Sequence, residues 1–415
     1  VTLLYQLISQ FLYFLIMPFA WLAARSGSIK WRERMAFSLP ESPSELWLHA
    51  ASVGEVKIAS YLIKYLYHER PGLRMVLTVV TDAGYRTARD EVGRIASVRY
   101  LPLDAAVPVS LTMDRIRPSV IGITETEIWP NLILAAKARN IPVILINGRM
   151  SEKAQKKYRW IKTGISYVLS AHEHFFFKTQ SDADRYAQFG VGRERSTVIG
   201  DMKFDAPLVD RSPQKIAELR SQAGVAADAF LLIAGSTRPD EEELLCKMYA
   251  RLSADLPRLR LLLAPRHIDR TDEIKLLIAQ LGMTSYIFGE PSGASSAPAV
   301  VVVDKMGLLS ELYTAADLAF VGGTLVEIGG HNILEPVWAG APVLFGPSIG
   351  NVTEAAAYIE HHNYGRKVAS AEELGGVISE LYNGRLSFHI KTVDEYRHSP
   401  TALIGDFILR RLKNA

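Results

Sequence analysis

MVLTVV at residues 75–80 and PVILIN at residues 142–147 carry apolar side chains on both alternating faces. A strand with one face in water would alternate, so such runs predict a parallel sheet covered by helices on both sides. Further short runs at 46–49, 119–124 and 174–178 alternate with helical stretches, the rhythm of βαβ units. A second series follows: FLLIAG from residue 230, LRLLLAP from 259, AVVVVD from 299, LAFVGG from 318 and APVLFGP from 341. The predicted fold is α/β, with two Rossmann-like doubly wound domains facing a cleft, spanning 25–210 and 211–390. The polar, proline-containing stretch 205–227, with Pro207 and Pro213, reads as linker plus first helix of the second domain. Residues 391–415 read as a C-terminal helical segment.

At 415 residues and 48% hydrophobic content the chain can fill two cores, in keeping with that division. Its 47 basic residues nearly cancel 44 acidic ones, so a nucleic-acid partner is not expected. The single cysteine, Cys246, excludes an internal disulfide, and no paired Cys/His spacing suggests a metal.

Residues 1–24, VTLLYQLISQFLYFLIMPFAWLAA, contain no charge. That length can span a bilayer, while the aromatic residues also suit a helix lying in the interface. Arg25, Lys30, Arg32 and Arg34 follow in place of a cleavage site, which predicts a retained membrane anchor with the body on the cytoplasmic side. A buried core helix is the alternative.

Ligands of open parallel sheets sit outside the carboxyl ends of the strands, and several clusters fall there. HAASVGEV (49–56) joins a strand to a helix and offers Glu55 as a base, although Ser52 and Glu55 also have capping-box spacing. GITETEIWPN (122–131) ends a strand on Glu125 and Glu127; alternation predicts one carboxylate toward the cleft and one away. Lys203 in GDMKFD (200–205) offers a cation where the first domain ends, or is a solvated surface lysine. AGSTRPDEE (234–242) offers a turn whose amides can hold a phosphate or carboxylate, and Arg266 follows the strand at 259–264. FVGGTLVEIGGHNILEPVWAGAPVLFGP (320–347) places two glycine pairs before Asn332 and a helix, a layout that cradles a phosphate, with Glu335 placed for ribose hydroxyls. Asn332 and Glu335 also have cap-like spacing. Neither a P-loop nor a strict G-x-G-x-x-G occurs, which argues against ATP hydrolysis and dinucleotide chemistry. From residues alone, a nucleotide-sugar transferase, a sugar-nucleotide epimerase and a non-catalytic binding protein remain open.

In order, HAASVGE, ITETEIWPNL, NGRMS, GDMKFD, AGSTRPDEEE, APRHIDR and FVGGTLVEIGGHNILEP resemble the 3-deoxy-D-manno-octulosonic acid (Kdo) transferase family over nearly the whole chain. The resemblance implies the glycosyltransferase type B fold and transfer of Kdo from CMP-Kdo to a lipid A precursor, lipid IVA, in lipopolysaccharide synthesis at the cytoplasmic side of the inner membrane. It implies Glu55 as general base and Glu125 and Lys203 as transition-state stabilisers. It assigns CMP contacts to Pro265, Arg266, Lys305, Met306, Gly307, Asn332, Ile333, Leu334 and Glu335. An inverting single displacement that needs neither metal nor cofactor is expected, because a nucleoside monophosphate leaves with less charge than a diphosphate.

Overall fold

The computed structural model describes residues 2–37, 43–205, 209, 211–290 and 299–413; Pro207 of the expected linker lies outside them. The chain forms two compact units, Val1–Asp205 with Arg397–Ala415, and Ala206–Tyr396. The 391–415 segment thus divides between the two.

In the first unit β1 (Leu46–Ala50), β2 (Met75–Val79), β3 (Ser97–Tyr100), β4 (Val120–Thr124), β5 (Val143–Gly148), β6 (His172–Phe177) and β7 (Ser196–Val198) form one sheet in the order 3-2-1-4-5-6-7. Among the described residues its strand pairings are all parallel, with Leu46 opposite Met75 on one side and Val120 on the other. β1, β2, β4 and β5 are buried at every position, as the continuous apolar runs require. Trp47, Ile121, Ile123 and Val143 anchor the core, and the Trp47 indole N–H donates to the Thr78 hydroxyl at 2.9 Å. Burial of each large apolar side chain stabilises the sheet by about 1.5–3 kcal/mol. The order reverses between β1 and β4, opening a crevice at their carboxyl ends.

The second unit repeats the plan. β8 (Phe230–Thr237), β9 (Leu259–Pro265), β10 (Thr284–Ile287), β11 (Ala299–Val302), β12 (Leu318–Val321), β13 (Val343–Phe345) and β14 (Gly365–Lys367) pair in parallel in the order 10-11-9-8-12-13-14. Its reversal lies between β8 and β12, over a core that includes Leu232, Leu261, Val300 and Phe320.

Helix α1 (Thr2–Arg25) lies along the body of the first unit. Tyr13 and Ala20 pack with Met35 and Ala105, Tyr5 donates to Asp104 at 2.9 Å, and Gln10 accepts from the Val107 amide at 3.1 Å. The opposite face leaves Leu3, Leu7, Phe11, Leu15, Phe19 and Leu22 exposed. Helix α2 (Ile29–Arg34) is tied to the sheet by Glu33, which accepts from the Tyr100 amide and pairs with Arg99. Lys30 pairs with Asp82 at 3.0 Å.

The last helix, Pro400–Lys413, packs on α3 (Val53–Glu69) in the first unit. Asp205 accepts from the Thr401 amide at 2.6 Å, and Tyr65 donates to Asp406 at 2.8 Å. At Gly405 an added Cβ would stand 2.4 Å from the Tyr65 ring. Helix propensity alone would make Gly405→Ala stabilising by about 1 kcal/mol. Crowding against a buried ring costs about 1–3 kcal/mol, so a net loss in urea unfolding is expected. A variant as stable as the parent would show that the ring yields.

Candidate active site and nucleotide pocket

At the crevice of the first unit, Ser52 caps α3 by accepting the Glu55 amide at 3.3 Å. The Glu55 carboxylate turns back to accept from the Ala51 amide and the Ser52 hydroxyl, both at 2.9 Å. This is the capping box anticipated from spacing. Thr124, at the end of β4, stands 3.1 Å from the same carboxylate and 2.8 Å from the His49 carbonyl. With up to three donors on about four acceptor sites, a buried carboxylate retains room for one more hydrogen bond.

Immediately after β4, Glu125 takes a left-handed backbone, φ 56°, which ends the extended run. Its amide donates to the Ile146 carbonyl at 2.8 Å and its carboxylate pairs with Arg149 at 2.8 Å. Burial raises its pKa; Arg149 lowers it and Glu55 raises it. Glu127 is pushed up to about 6 by burial, then by Glu55 and Glu125. The expectation that one carboxylate of the Glu125/Glu127 pair turns away therefore fails. Residues two apart share a face, and the turn at Glu125 keeps both near Glu55.

Lys203 sits in a short 3₁₀ turn, Met202–Phe204, capped by Asp201. Asp201 pairs with Lys178 at 2.6 Å and Lys203 at 3.5 Å, and accepts from Asn147 at 3.2 Å. Arg149, Lys178, Asn147 and Asp201 were not singled out by sequence reasoning, although each stands at or beyond the carboxyl end of β5, β6 or β7. Arg149, Lys178 and Glu127 also line a cavity of about 690 Å³ together with Tyr158 and Asp182.

In the second unit a pocket of about 250 Å³ brings together Pro265, Arg266, Lys305, Met306, Gly307 and Glu335. The Arg266 amide donates to the Thr237 carbonyl at 3.0 Å, and Gly307 adopts φ 86°, open only to glycine at low cost. Burial raises the Glu335 pKa, opposed by Ser310 and Arg266. Asn332 is exposed and caps the Leu334 amide at 3.3 Å, whereas the Ile333 and Leu334 side chains are buried. Of the Asn332–Glu335 segment, only the Glu335 side chain lines this pocket.

The glycine segment departs from the expected phosphate cradle. Glu241, fully buried, accepts from the amides of Gly323 at 2.7 Å, Thr324 at 3.0 Å, Leu325 at 2.9 Å and Arg238 at 3.0 Å. Gly329 donates to Ser348, and Gly330 to the Gly323 carbonyl, both at 2.8 Å. The helix that follows, Leu334–Trp338, is only five residues long. These amides are thus satisfied by the protein's own oxygens.

Glu127 supplies a test of the carboxylate cluster. Because folding raises its pKa, the native state binds the proton more tightly, so stability falls as pH rises from about 4.5 to about 6 and stays lower above that. Glu127→Gln should therefore stabilise the protein at pH 8 by about 1 kcal/mol after allowance for solvent screening, and by nothing at pH 4. Chemical unfolding at the two pH values measures this; equal differences at both would dissolve the cluster.

Residues 29–206 match the family described as 3-deoxy-D-manno-octulosonic-acid transferase (kdotransferase). The chain is 33% identical to the 3-deoxy-D-manno-octulosonic acid transferase of Haemophilus influenzae over 75% of this chain and 73% of that one. The enzyme of the same name from Chlamydophila psittaci is 32% identical over 78% and 75%. A bifunctional glycosyltransferase/methyltransferase of Fusobacterium nucleatum is 32% identical over 85% of this chain, which spans 54% of that longer protein. The chain belongs to the 3-deoxy-D-manno-octulosonic acid transferase family.

Proposed function

We propose that the protein transfers Kdo from CMP-Kdo to a lipid A precursor, lipid IVA, by an inverting single displacement. The observation that carries the chemistry is the Glu55 carboxylate: buried at the strand reversal, fixed by neighbouring donors, and with acceptor capacity left for a sugar hydroxyl. In this reading Glu55 takes the acceptor proton as the oxygen attacks the anomeric carbon, and CMP leaves. Lys203, Arg149 and Lys178 stand among carboxylates that hold them in place, and Glu125 is fixed by Arg149. Lys203 and Glu125 then stabilise charge that shifts during transfer. CMP occupies the pocket at Pro265, Arg266, Lys305, Met306 and Gly307, with Glu335 on the ribose. The leaving monophosphate is met by arginine and lysine, so transfer proceeds without a metal.

With CMP-Kdo, a tetraacylated lipid A precursor and a chelator, the wild type should release CMP and yield product heavier by whole Kdo units. Glu55→Gln, folded and binding CMP, should lose about 10²- to 10⁴-fold in rate. Undiminished transfer by that variant would leave Glu55 as a helix cap alone.

The acceptor is a lipid, and α1 gives the enzyme a lipid-facing surface on the cytoplasmic side of the inner membrane. Its hydrogen bonds to Asp104 and Val107 and its packed Tyr13 side favour a helix lying in the interface over one crossing the bilayer. The double variant Phe11→Glu, Leu15→Glu should keep its melting temperature yet lose co-sedimentation with anionic vesicles. Vesicle binding equal to wild type would remove α1 from the interface.

A further inference from the structure

Arg238 leaves β8 beside the nucleotide pocket and is held in an unusual way. Its Nε donates to His331 Nε2 at 3.0 Å and its Nη1 meets His267 Nε2 at 2.8 Å. A guanidinium has about five N–H donors and no acceptor, so both imidazole nitrogens must accept, which requires them to be unprotonated. Other partly buried cations, such as Lys178 and Arg270, are paired with carboxylates, Asp201 and Glu242 respectively. Among the described residues Arg238 has no such partner; Glu241 takes its backbone amide, and its side chain meets only neutral rings. The fork is therefore oriented without being neutralised, and about three of its N–H groups remain for a ligand.

The surroundings reinforce this arrangement. His331 lies against Gly323, where an added Cβ would come within 3.0 Å of the imidazole. Burial, then the charges of Arg238 and Arg266, hold the His331 pKa below its usual range, which keeps it an acceptor. The pocket wall begins at Ser236 and Arg266, which neighbour Arg238 and His267 in sequence. Of the acidic groups nearby, Glu241 is engaged with backbone amides and Glu335 with Ser310 at 3.4 Å.

We propose that Arg238, oriented by His267 and His331, is a clamp for an anionic oxo group of the nucleotide sugar. That group is either the phosphate or the carboxylate of the transferred sugar. The inference rests on the nucleotide-sugar reading above and adds to it a residue and two positioning histidines. It also supplies what the glycine segment does not, since the amides there are already occupied.

Calorimetric titration of wild type and Arg238→Gln with cytidine, CMP and CMP-Kdo tests the clamp. Cytidine should bind both proteins equally. A loss of about 10- to 100-fold for CMP assigns the phosphate; the same loss confined to CMP-Kdo assigns the sugar carboxylate. Equal affinities for all three ligands, or an equal drop for cytidine, would overturn the proposal. His331→Phe should reproduce part of the loss and His331→Gln, which keeps an acceptor, should restore it; a His331→Phe protein that binds as wild type removes the positioning role. If the wild type prefers uridine and UMP to cytidine and CMP, the donor assignment falls, and the same comparison run on uridine and UMP still decides the clamp.

Discussion

In both units a glutamate at the start of the helix after the first strand reaches across the strand reversal and binds the neighbouring strand. Glu55 joins the turn after β1 to Thr124 of β4, and Glu241 joins the turn after β8 to the backbone beyond β12. The constraint behind this is the cost of an unpaired backbone amide at the end of a buried parallel strand, about 1–3 kcal/mol each. A carboxylate in the first helical turn, third position for Glu55 and first for Glu241, can reach such amides, and the helix N-terminus favours its charge.

The two carboxylates differ in what they leave over. Glu241 accepts four backbone amides and is sealed from solvent, so it is a structural element of the second unit. Glu55 has one backbone donor and two hydroxyls around it, beside two further carboxylates and a chain of cations. The same device thus serves as a brace in one unit and as a poised base in the proposed reaction. Because Glu241 occupies the amides of Gly323, Thr324 and Leu325, the recognition of an anionic donor proposed above rests on side chains, chiefly Arg266, Lys305 and Arg238.

The first unit's crevice mixes both signs: Glu127 and Glu125 with Arg149, and Asp201 between Lys178 and Lys203. Left-handed residues Glu125 and Asn147 end β4 and β5 there, and Ser236 plays the same part near the end of β8. Such conformations are uncommon away from glycine and cost stability, and here they turn polar side chains along the crevice rim.

The sequence by itself determined the central strands, because strands buried on both faces must be apolar throughout, and it determined Glu55, Glu125 and Lys203 as residues just past strand ends. It did not reveal β3, β7, β10 or β14, which are the four edge strands of the two sheets. Edge strands are half exposed, so their short runs lack the continuous apolar signature. Nor did it separate the two faces of α1, whose packed stripe mixes Tyr5, Gln10, Tyr13, Ile16, Met17 and Ala20 within an uncharged run. Tertiary structure alone decided that the amides of Gly323 to Leu325 belong to Glu241, that Asp201 links Lys178 to Lys203, and that Arg238 rests on two histidines. Apart from Asp201 with Lys203, these pairings join residues distant in the chain, and spacing along a sequence reports local geometry, not which distant strand ends a fold brings side by side.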